Sequence, residues 1–228
     1  HHIVIHNGNP FNDLLGPNSP YTGVSLQTSK PDFHQVHGSL LRWINKSKEA
    51  GKQWAVAIDE PGDAQHSLLP DSHDPDGINH DDARMNALWG AFLAGAWGIE
   101  WYFGYKHPHS DLSCEDWRSR AHMWEQCWIA LDFFAENKIP MNEMWNMNSL
   151  VAGQGDYVFA DPGKIYLVYL KNGVNTLDLS GDNAKYRIRW FNPRTGSYAS
   201  GENVVGGGKI KLVPPGDKDW LAYLSPTL

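Results

Sequence analysis

The sequence predicts an α/β region over residues 1–145 followed by an all-β region over residues 146–228. In the first region, short apolar strand patterns alternate with helical patterns, which is typical of parallel βα units. In the second region, short segments of alternating polarity are separated by turn sequences such as DPG, KNG and NPRTG. These segments predict a small antiparallel β-sandwich. Pro140 and the Asn- and Met-rich stretch after it indicate the boundary between the two domains.

Four strands and three helices are predicted in the α/β region. The strands are HIVIHN (2–7), GVSLQT (23–28), WAVAID (54–59) and GIEWYFGY (98–105). The helices, predicted from apolar residues at helical spacing, cover residues 33–50, 81–96 and 113–137. Ser113 and Asp116 are expected to form a capping box at the start of the third helix. The predicted apolar seam of that helix is Trp117, Ala121, Trp124, Trp128 and Leu131.

Six strands are predicted in the all-β region from their alternating polarity. They are YVFA, KIYLVYL, TLDLS, YRIRWF, KIKLVP and WLAYL.

The composition excludes some classes of partner and favours another. A net charge of −7 and a pI near 5.8, without a basic stripe, argue against nucleic-acid binding. The longest uncharged stretch, residues 85–99, is too short to span a membrane. The 11 Trp residues indicate stacking on sugar rings, with core packing as the alternative for more than half of them. Cys114 and Cys127 are predicted to be free thiols, since about 20 Å of helix separates them.

Polar and aromatic residues follow the C-terminal end of every strand in the α/β region. They are His6-Asn7, Gln27-Thr28, Asp59-Glu60 and residues 102–107. In (β/α)8 barrels the active site is assembled at this end of the strands. The sequence also has no glycine-rich phosphate loop, which a doubly wound domain would use, and it opens directly on a strand. These observations favour the second half of a barrel, with its first half outside this chain; a small doubly wound domain is the alternative.

The stretch AVAIDEPG, residues 55–62, ends an apolar strand with two carboxylates. Regular alternation would place Glu60 on the same face as Val56 and Ile58, and Asp59 on the opposite face. A carboxylate at the mouth of a barrel strand can act as a nucleophile or as a general acid or base. The alternative is an acid that caps the following loop and has no chemical role.

The stretches WAVAIDEPG and ALWGAFLAGAWGIEWYFGYKHPHSDLSCEDWRSR resemble the last two βα units of a bacterial family of clan-A retaining (β/α)8 glycoside hydrolases. The stretches KIYLVYLKNG, YRIRWFNPRTG and WLAYL are similar to a β-sandwich of the collagen-binding-domain type that follows the barrel in that family. The resemblance implies that the four strands are barrel strands 5–8 and that Glu60 on the seventh is the nucleophile. It also implies that the acid/base, which follows the fourth strand, lies outside this chain.

The resemblance implies a carbohydrate substrate and a missing partner. Retaining hydrolysis needs two carboxyl groups about 5–5.5 Å apart, so the chain alone is expected to be inactive. A half-barrel would leave unpaired sheet edges, so a separate chain or segment is expected to supply strands 1–4. The substrate class, a polysaccharide or oligosaccharide, implies a secreted or periplasmic location. The alternative function is a non-catalytic protein that binds carbohydrate or a matrix protein.

Seven residues are predicted to bind substrate. Trp101 would form the floor of the subsite for the reacting sugar, with a packed core tryptophan as the alternative. The others lie at strand ends or in the loops of the same mouth: His6, Gln27, His66, His80, Glu100 and Tyr105.

The loop over residues 66–82 is rich in His and Asp and is predicted to be a polar lid over the substrate. Its DPDG resembles the start of a calcium loop, but the spaced ligands and the closing Glu are missing. No metal and no cofactor are therefore predicted. The sequence also has no GxSxG elbow, no HExxH helix and no paired Cys/His arrangement.

Overall fold

The structure is a computed structural model that describes residues 1–6, 11–113, 116–153 and 155–227. The predictions about Asn7 and Cys114 therefore lie outside the described residues. The chain divides into two compact units, His1–Glu125 and Gln126–Leu228. The domain boundary expected at residues 145 and 146 stays a prediction. In the part of the chain that is described, every helix is too short or too polar to cross a bilayer.

The first unit contains a parallel four-stranded sheet in the order β1-β2-β3-β4. Its strands are β1 (Val4–His6), β2 (Gly23–Gln27), β3 (Ala55–Glu60) and β4 (Gly98–Ile99). The parallel strands of the α/β prediction are thus confirmed, but the fourth is much shorter than expected. The Glu100 N–H still donates to the Ile58 carbonyl of β3 at 2.9 Å, but beyond Glu100 the pairing changes, and the carbonyl of Tyr102 accepts a hydrogen bond from the Leu68 N–H at 3.2 Å.

One face of this sheet is covered by helices. Val24 and Leu26 of β2, and Val56 and Ile58 of β3, are almost fully buried. The helix α1 (Gln35–Glu49) contacts β3 and buries Val36 and Leu40. The other face, here called the open face, carries His6, Ser25 and Ala57, which lie side by side in the register of β1, β2 and β3.

Side chains that precede the two edge strands of the sheet meet each other. The ring of His2, which precedes β1, stacks on the ring of Trp97, which precedes β4, with centroids 6.1 Å apart. Gly23 has no side chain in the way: a Cβ there would lie 3.0 Å from the His2 ring.

The second predicted helix contains three segments. They are α2 (Ile78–Asp82), a π-helical segment (Ala83–Leu88) and α3 (Trp89–Ala94). Gly95 follows with a φ of +82°, a conformation that ends helices.

The third helix begins later than expected. A 3₁₀ turn (Trp117–Arg120) leads into α4 (Ala121–Glu136). Asp116 is the N-cap and accepts a hydrogen bond from the Arg118 N–H at 3.1 Å, while Ser113 bonds to Ser110 instead. The predicted capping box is therefore wrong. The predicted seam is wrong as well, because Trp117, Trp128 and Leu131 are all more than half exposed.

The second unit begins within α4, and from Trp145 to Pro226 it is built from antiparallel strands, which confirms the all-β prediction for this region. Six strands form a path in the order β10-β9-β13-β7-β6-β5, with β11 paired to β9, and β8 pairs with β12 in a second sheet. Both sheets contribute to one hydrophobic core, with Val168 and Leu177 as examples. The strands are β5 (Trp145–Asn146), β6 (Tyr157–Asp161), β7 (Ile165–Leu170), β8 (Asn175–Asp178), β9 (Lys185–Phe191), β10 (Tyr198–Ala199), β11 (Asn203–Val205), β12 (Lys209–Leu212) and β13 (Trp220–Pro226).

Asp182 connects three parts of the second unit through its carboxylate. It accepts hydrogen bonds from the hydroxyls of Tyr166 and Tyr186 and from the N–H groups of Gly163 and Ala184. Burial raises the pKa of Asp182, but these donors outweigh it, so its pKa lies below the usual value. Burial and the Asp182 charge raise the pKa values of both tyrosines.

Replacing Asp182 by Asn is expected to destabilise the second unit by about 2–3 kcal/mol at pH 7, since hydrogen bonds to a charged acceptor are lost. A lowered pKa contributes stability above the unfolded-state value, about 3.9, that is lost as the pH falls through the folded-state value. Urea denaturation should therefore show the difference from the parent protein at pH 5–7, and the difference should disappear in strong acid.

Asp178→Asn is the matched control. Asp178 is partly exposed and accepts a hydrogen bond from the Ser180 N–H, and its cationic neighbour Lys209 is 3.8 Å away. Its replacement should cost less than about 0.5 kcal/mol. Equal effects of the two substitutions would contradict the role given to Asp182.

Candidate active site

A β-bulge at the end of β3 determines where Glu60 points. Leu26 lies opposite Ile58, but the next residue of β2, Gln27, lies opposite Glu60, so Asp59 is the extra residue. Regular alternation would send Glu60 to the helix-covered face together with Val56 and Ile58. The alternation argument was therefore wrong about the face, because a bulge re-aims the side chains that follow it. Glu60 instead meets Gln27 from the open face.

Glu60 has two side-chain partners from two other strands. The Gln27 amide of β2 donates a hydrogen bond to Glu60 Oε2. The His6 ring at the end of β1 places Nε2 3.5 Å from Glu60 Oε1. The Glu60 side chain is 34% exposed, so a ligand can reach it. The predictions that His6, Gln27 and Glu60 lie at one mouth agree with this geometry.

Asp59 shares the same histidine. Its Oδ2 lies 2.7 Å from His6 Nδ1. Its Oδ1 is buried and accepts no hydrogen bond from any described residue. In the described part of the chain, no backbone N–H donates to the side chain of either Asp59 or Glu60. The loop-capping alternative for these two carboxylates therefore finds no support among the described residues.

The loops after β3 and β4 are joined by backbone hydrogen bonds. The N–H of Leu68 donates to the Tyr102 carbonyl, that of Tyr105 to the Ala64 carbonyl at 3.1 Å, and that of Lys106 to the Gln65 carbonyl at 3.1 Å. The two loops thus form one continuous wall beside the carboxylates.

A buried arginine holds this wall from behind. Arg120 is fully buried, and its guanidinium donates to the carbonyls of Leu68 at 3.1 Å and His109 at 2.9 Å. The same group lies 4.0 Å from the centroid of the Phe103 ring. One side chain therefore fixes both loops.

Histidines line the loop wall. The His66 ring lies 6.1 Å from the ring of His107, which lies 5.8 Å from the ring of His73. Burial and the neighbouring His73, His66, Arg120 and Lys106 lower the pKa of His107. Burial raises the pKa of Asp63, but hydrogen bonds from the His66 side chain and backbone outweigh it and hold that pKa below its usual value. An ionised Asp63 therefore orients the His66 ring at the mouth.

The Tyr102 hydroxyl lies in the electrostatic field of Glu60. Burial raises its pKa, and the charges of Asp111, Glu60 and Tyr105 add to the effect. Tyr102 therefore remains a protonated donor in this acidic neighbourhood.

The remaining predicted binding residues are distributed around this mouth. Trp101 is half-buried and meets Phe33 edge to face, with centroids 6.3 Å apart. Glu100 and Tyr105 are exposed. His80 is 1% exposed, and its Nε2 lies 2.7 Å from the Leu69 carbonyl oxygen. The substrate contact predicted for His80 is therefore wrong, since its ring is buried and holds the loop.

Sequence reasoning missed several residues of the site. Asp63, His107 and Arg120 were not singled out, although His107 belongs to the loop that the sequence assigned to the mouth. The Asp59–His6 pair had one available signal, the two adjacent carboxylates. The geometry of this pair depends on the β-bulge in β3, and no pattern of residue types predicts that bulge.

The site combines an accessible carboxylate, an amide and an imidazole that hold it, and a wall of aromatic and imidazole side chains. This set can present a nucleophilic oxygen to an electrophilic carbon and donate hydrogen bonds to hydroxyl groups. Among the described residues, no group of three or more His, Cys, Asp or Glu side chains is arranged to hold a metal ion.

The fold of this chain is similar to that of solved glycoside hydrolases. One glycoside hydrolase matches over 100% of this chain and 58% of its own, at 16% identity and a TM-score of 0.72. A glycoside hydrolase family 5 protein from Bacteroides vulgatus ATCC 8482 matches over 99% of this chain and 56% of its own, at 17% identity and a TM-score of 0.70. The chain thus spans just over half the length of either structure.

Residues 143–224 match the family described as "Putative collagen-binding domain of a collagenase". No curated protein matches the chain in sequence. The resemblance to glycoside hydrolases is therefore confirmed for the fold, and the resemblance of the C-terminal region is confirmed by the family match.

Replacing Gly104 by Ala is expected to separate the two loops of the wall. A Cβ at Gly104 would lie 2.3 Å from the His66 carbonyl oxygen and 2.4 Å from that of Gln65. Backbone must move to relieve this contact, at a cost of about 2 kcal/mol. Urea denaturation should show the loss of stability, and limited proteolysis should show faster cleavage within residues 61–68.

Gly98→Ala is the control, because a Cβ at Gly98 would meet nothing within 4 Å. It should change stability by less than about 0.5 kcal/mol. If Gly104→Ala keeps the stability and the protease resistance of the parent protein, the two loops do not depend on this close approach.

Proposed function

We propose that this chain is the C-terminal half of the (β/α)8 barrel of a retaining glycoside hydrolase, strands 5–8, followed by an antiparallel β-sandwich. The observation that carries the proposal is the placement of Glu60. It lies at the C-terminal end of a parallel strand and is held by the strand ends of β1 and β2. This is the end of the strands at which barrel enzymes assemble their active sites.

Side-chain contacts across the sheet support the barrel in this proposal. The stacking of His2 on Trp97 brings together segments that precede the first and last strands. The approach of His6 to Asp59 joins β1 to β3 across β2. Contacts of this kind are expected in a barrel, whose wall curves around its axis.

In the proposed reaction, Glu60 attacks the anomeric carbon of the sugar. A bond forms between a carboxylate oxygen and that carbon while the glycosidic C–O bond breaks. A general acid from outside this chain protonates the departing oxygen, and water then hydrolyses the glycosyl ester with the same group acting as base. The proposed substrate is a polysaccharide or oligosaccharide, which is consistent with a secreted or periplasmic location.

In this proposal the remaining mouth residues bind the sugar. His66 and Gln27 offer hydrogen-bonding groups to hydroxyls, and Glu100 accepts from them. Trp101 and Tyr105 offer ring faces for stacking.

A further segment is proposed to complete the barrel. The β1 edge exposes Ile3 and Val4, each more than 40% accessible, and Trp97 before β4 is 78% accessible. These apolar side chains flank the two edges of the sheet, where strands 1–4 would pair. The acid/base carboxylate would arrive with that segment.

The 228-residue chain alone should not hydrolyse a panel of 4-nitrophenyl glycosides, and the complete protein with strands 1–4 should. Glu60→Gln in the complete protein should lower kcat by at least about 10³-fold, because the nucleophile is lost. A 2-deoxy-2-fluoro glycoside should label Glu60, and peptide mass spectrometry would locate the label.

Gln35→Glu is the control for Glu60→Gln. It exchanges the same two residue types in the opposite direction at an exposed position of α1, and it should leave kcat within about twofold. Full activity of Glu60→Gln would overturn the assignment. A folded, active monomer of the 228-residue chain in size-exclusion chromatography would overturn the need for a completing segment.

The family match of residues 143–224 favours a second candidate function for the second unit, binding of a matrix protein or carbohydrate without catalysis. The chain should then be retained on immobilised collagen or on insoluble polysaccharide. Retention on collagen alone would favour the matrix protein, and retention on polysaccharide alone would favour carbohydrate. Retention on neither would contradict this candidate.

A further inference from the structure

Asp59 is a partly buried carboxylate beside the proposed nucleophile, and the proposed reaction gives it no role. We propose that Asp59 is a positioning residue, acting through the His6 ring to hold the Glu60 carboxylate in its attacking orientation. The inference rests on the proposed function of Glu60.

The His6 ring joins the two carboxylates. Its Nδ1 lies 2.7 Å from Asp59 Oδ2, and its Nε2 lies 3.5 Å from Glu60 Oε1. The ring therefore lies between the two carboxylates, with one nitrogen toward each. In the proposed role, Asp59 sets the position of the ring, and the ring in turn contacts Glu60 Oε1.

The bulge is what makes this bridge possible. In a regular strand, adjacent side chains point to opposite faces. Here Asp59 is the extra residue of β3, and both it and Glu60 reach His6. The ring crosses β2 above Ser25, whose small side chain lies beside His6 in the register.

The burial of Asp59 indicates that its carboxylate is there to hold the His6 ring. The side chain is 23% exposed, less than that of either His6 or Glu60. Burying a carboxylate is costly unless it is paired. Within the described residues, His6 is the partner that the Asp59 side chain has. Removing the charge at Asp59 would leave the ring held from one side only.

Glu60 is held from its other side as well. The Gln27 amide donates to Oε2, while the His6 ring lies 3.5 Å from Oε1. Loss of the His6 contact would let the carboxylate rotate about the Gln27 hydrogen bond. A misplacement of about 1 Å in a reacting group can lower the rate about 10²-fold.

The test is a double-mutant cycle in the complete protein, with Asp59→Asn and His6→Gln, assayed on a 4-nitrophenyl glycoside that the parent cleaves. Each single variant should lower kcat by about 10- to 100-fold and leave KM within about threefold, because positioning is lost and not binding. The double variant should be within about threefold of the slower single variant, since the two residues act as one unit. Labelling of Glu60 by the 2-deoxy-2-fluoro glycoside should slow in parallel.

Asp32→Asn is the matched control. Asp32 is an exposed carboxylate that accepts a hydrogen bond from the His34 N–H, and this variant should keep kcat within about twofold. Multiplicative losses in the double variant would overturn the proposal, because Asp59 would then act independently of His6. If Asp59→Asn loses its circular-dichroism signal, the His6→Gln variant decides, and parent-like kcat in it overturns the proposal.

The outcomes separate this inference from the proposed function. An inactive Glu60→Gln with parent-like Asp59→Asn would overturn the positioning role alone. A fully active Glu60→Gln would overturn the proposed function and the inference with it.

Discussion

The shift of register between Leu26 and Gln27 is the constraint on which the candidate site depends. Without it, Glu60 would follow Val56 and Ile58 into the helix-covered core, where an unpaired carboxylate is costly. With it, the carboxylates of Asp59 and Glu60 both lie close to the His6 ring. A single extra residue in β3 thus turns the Glu60 carboxylate away from the core and toward the open face of the sheet. Ser25 and Ala57, which lie beside each other in the register of β2 and β3, have small side chains.

The site has a rigid side and an open side. On the rigid side, Arg120 and the hydrogen bonds between the loops after β3 and β4 fix the backbone. On the open side, the segments that flank the sheet edges expose apolar side chains such as Ile3 and Trp97. The proposed half-barrel would account for this contrast, because the segment that completes it would cover those side chains.

Much of the fold could be predicted because it follows from local patterns. Strands with buried Val and Ile, the α1 helix and the six longer strands of the second unit all follow from periodicity. The errors arose where tertiary contacts override the pattern. Beyond Glu100, the segment predicted as a strand exchanges hydrogen bonds with the loop after β3, and Asp116 rather than Ser113 caps the third helix. In the site, His6, Gln27 and Glu60 could be placed together from strand ends. The contact between Asp59 and His6 could not be predicted, because no pattern of residue types predicts a β-bulge. The prediction for His80 failed because its polar ring lies against a backbone carbonyl, that of Leu69, and does not face the mouth.

The joining of the two loops through main-chain atoms has a consequence for how such a site can change over evolutionary time. The hydrogen bonds from Leu68, Tyr105 and Lys106 use no side-chain atom, so they survive most substitutions at those positions. Gly104 is the exception, because the carbonyl oxygens of Gln65 and His66 lie where its side chain would be. The wall can therefore acquire new side chains, and with them new ligand preferences, while its backbone shape is inherited unchanged.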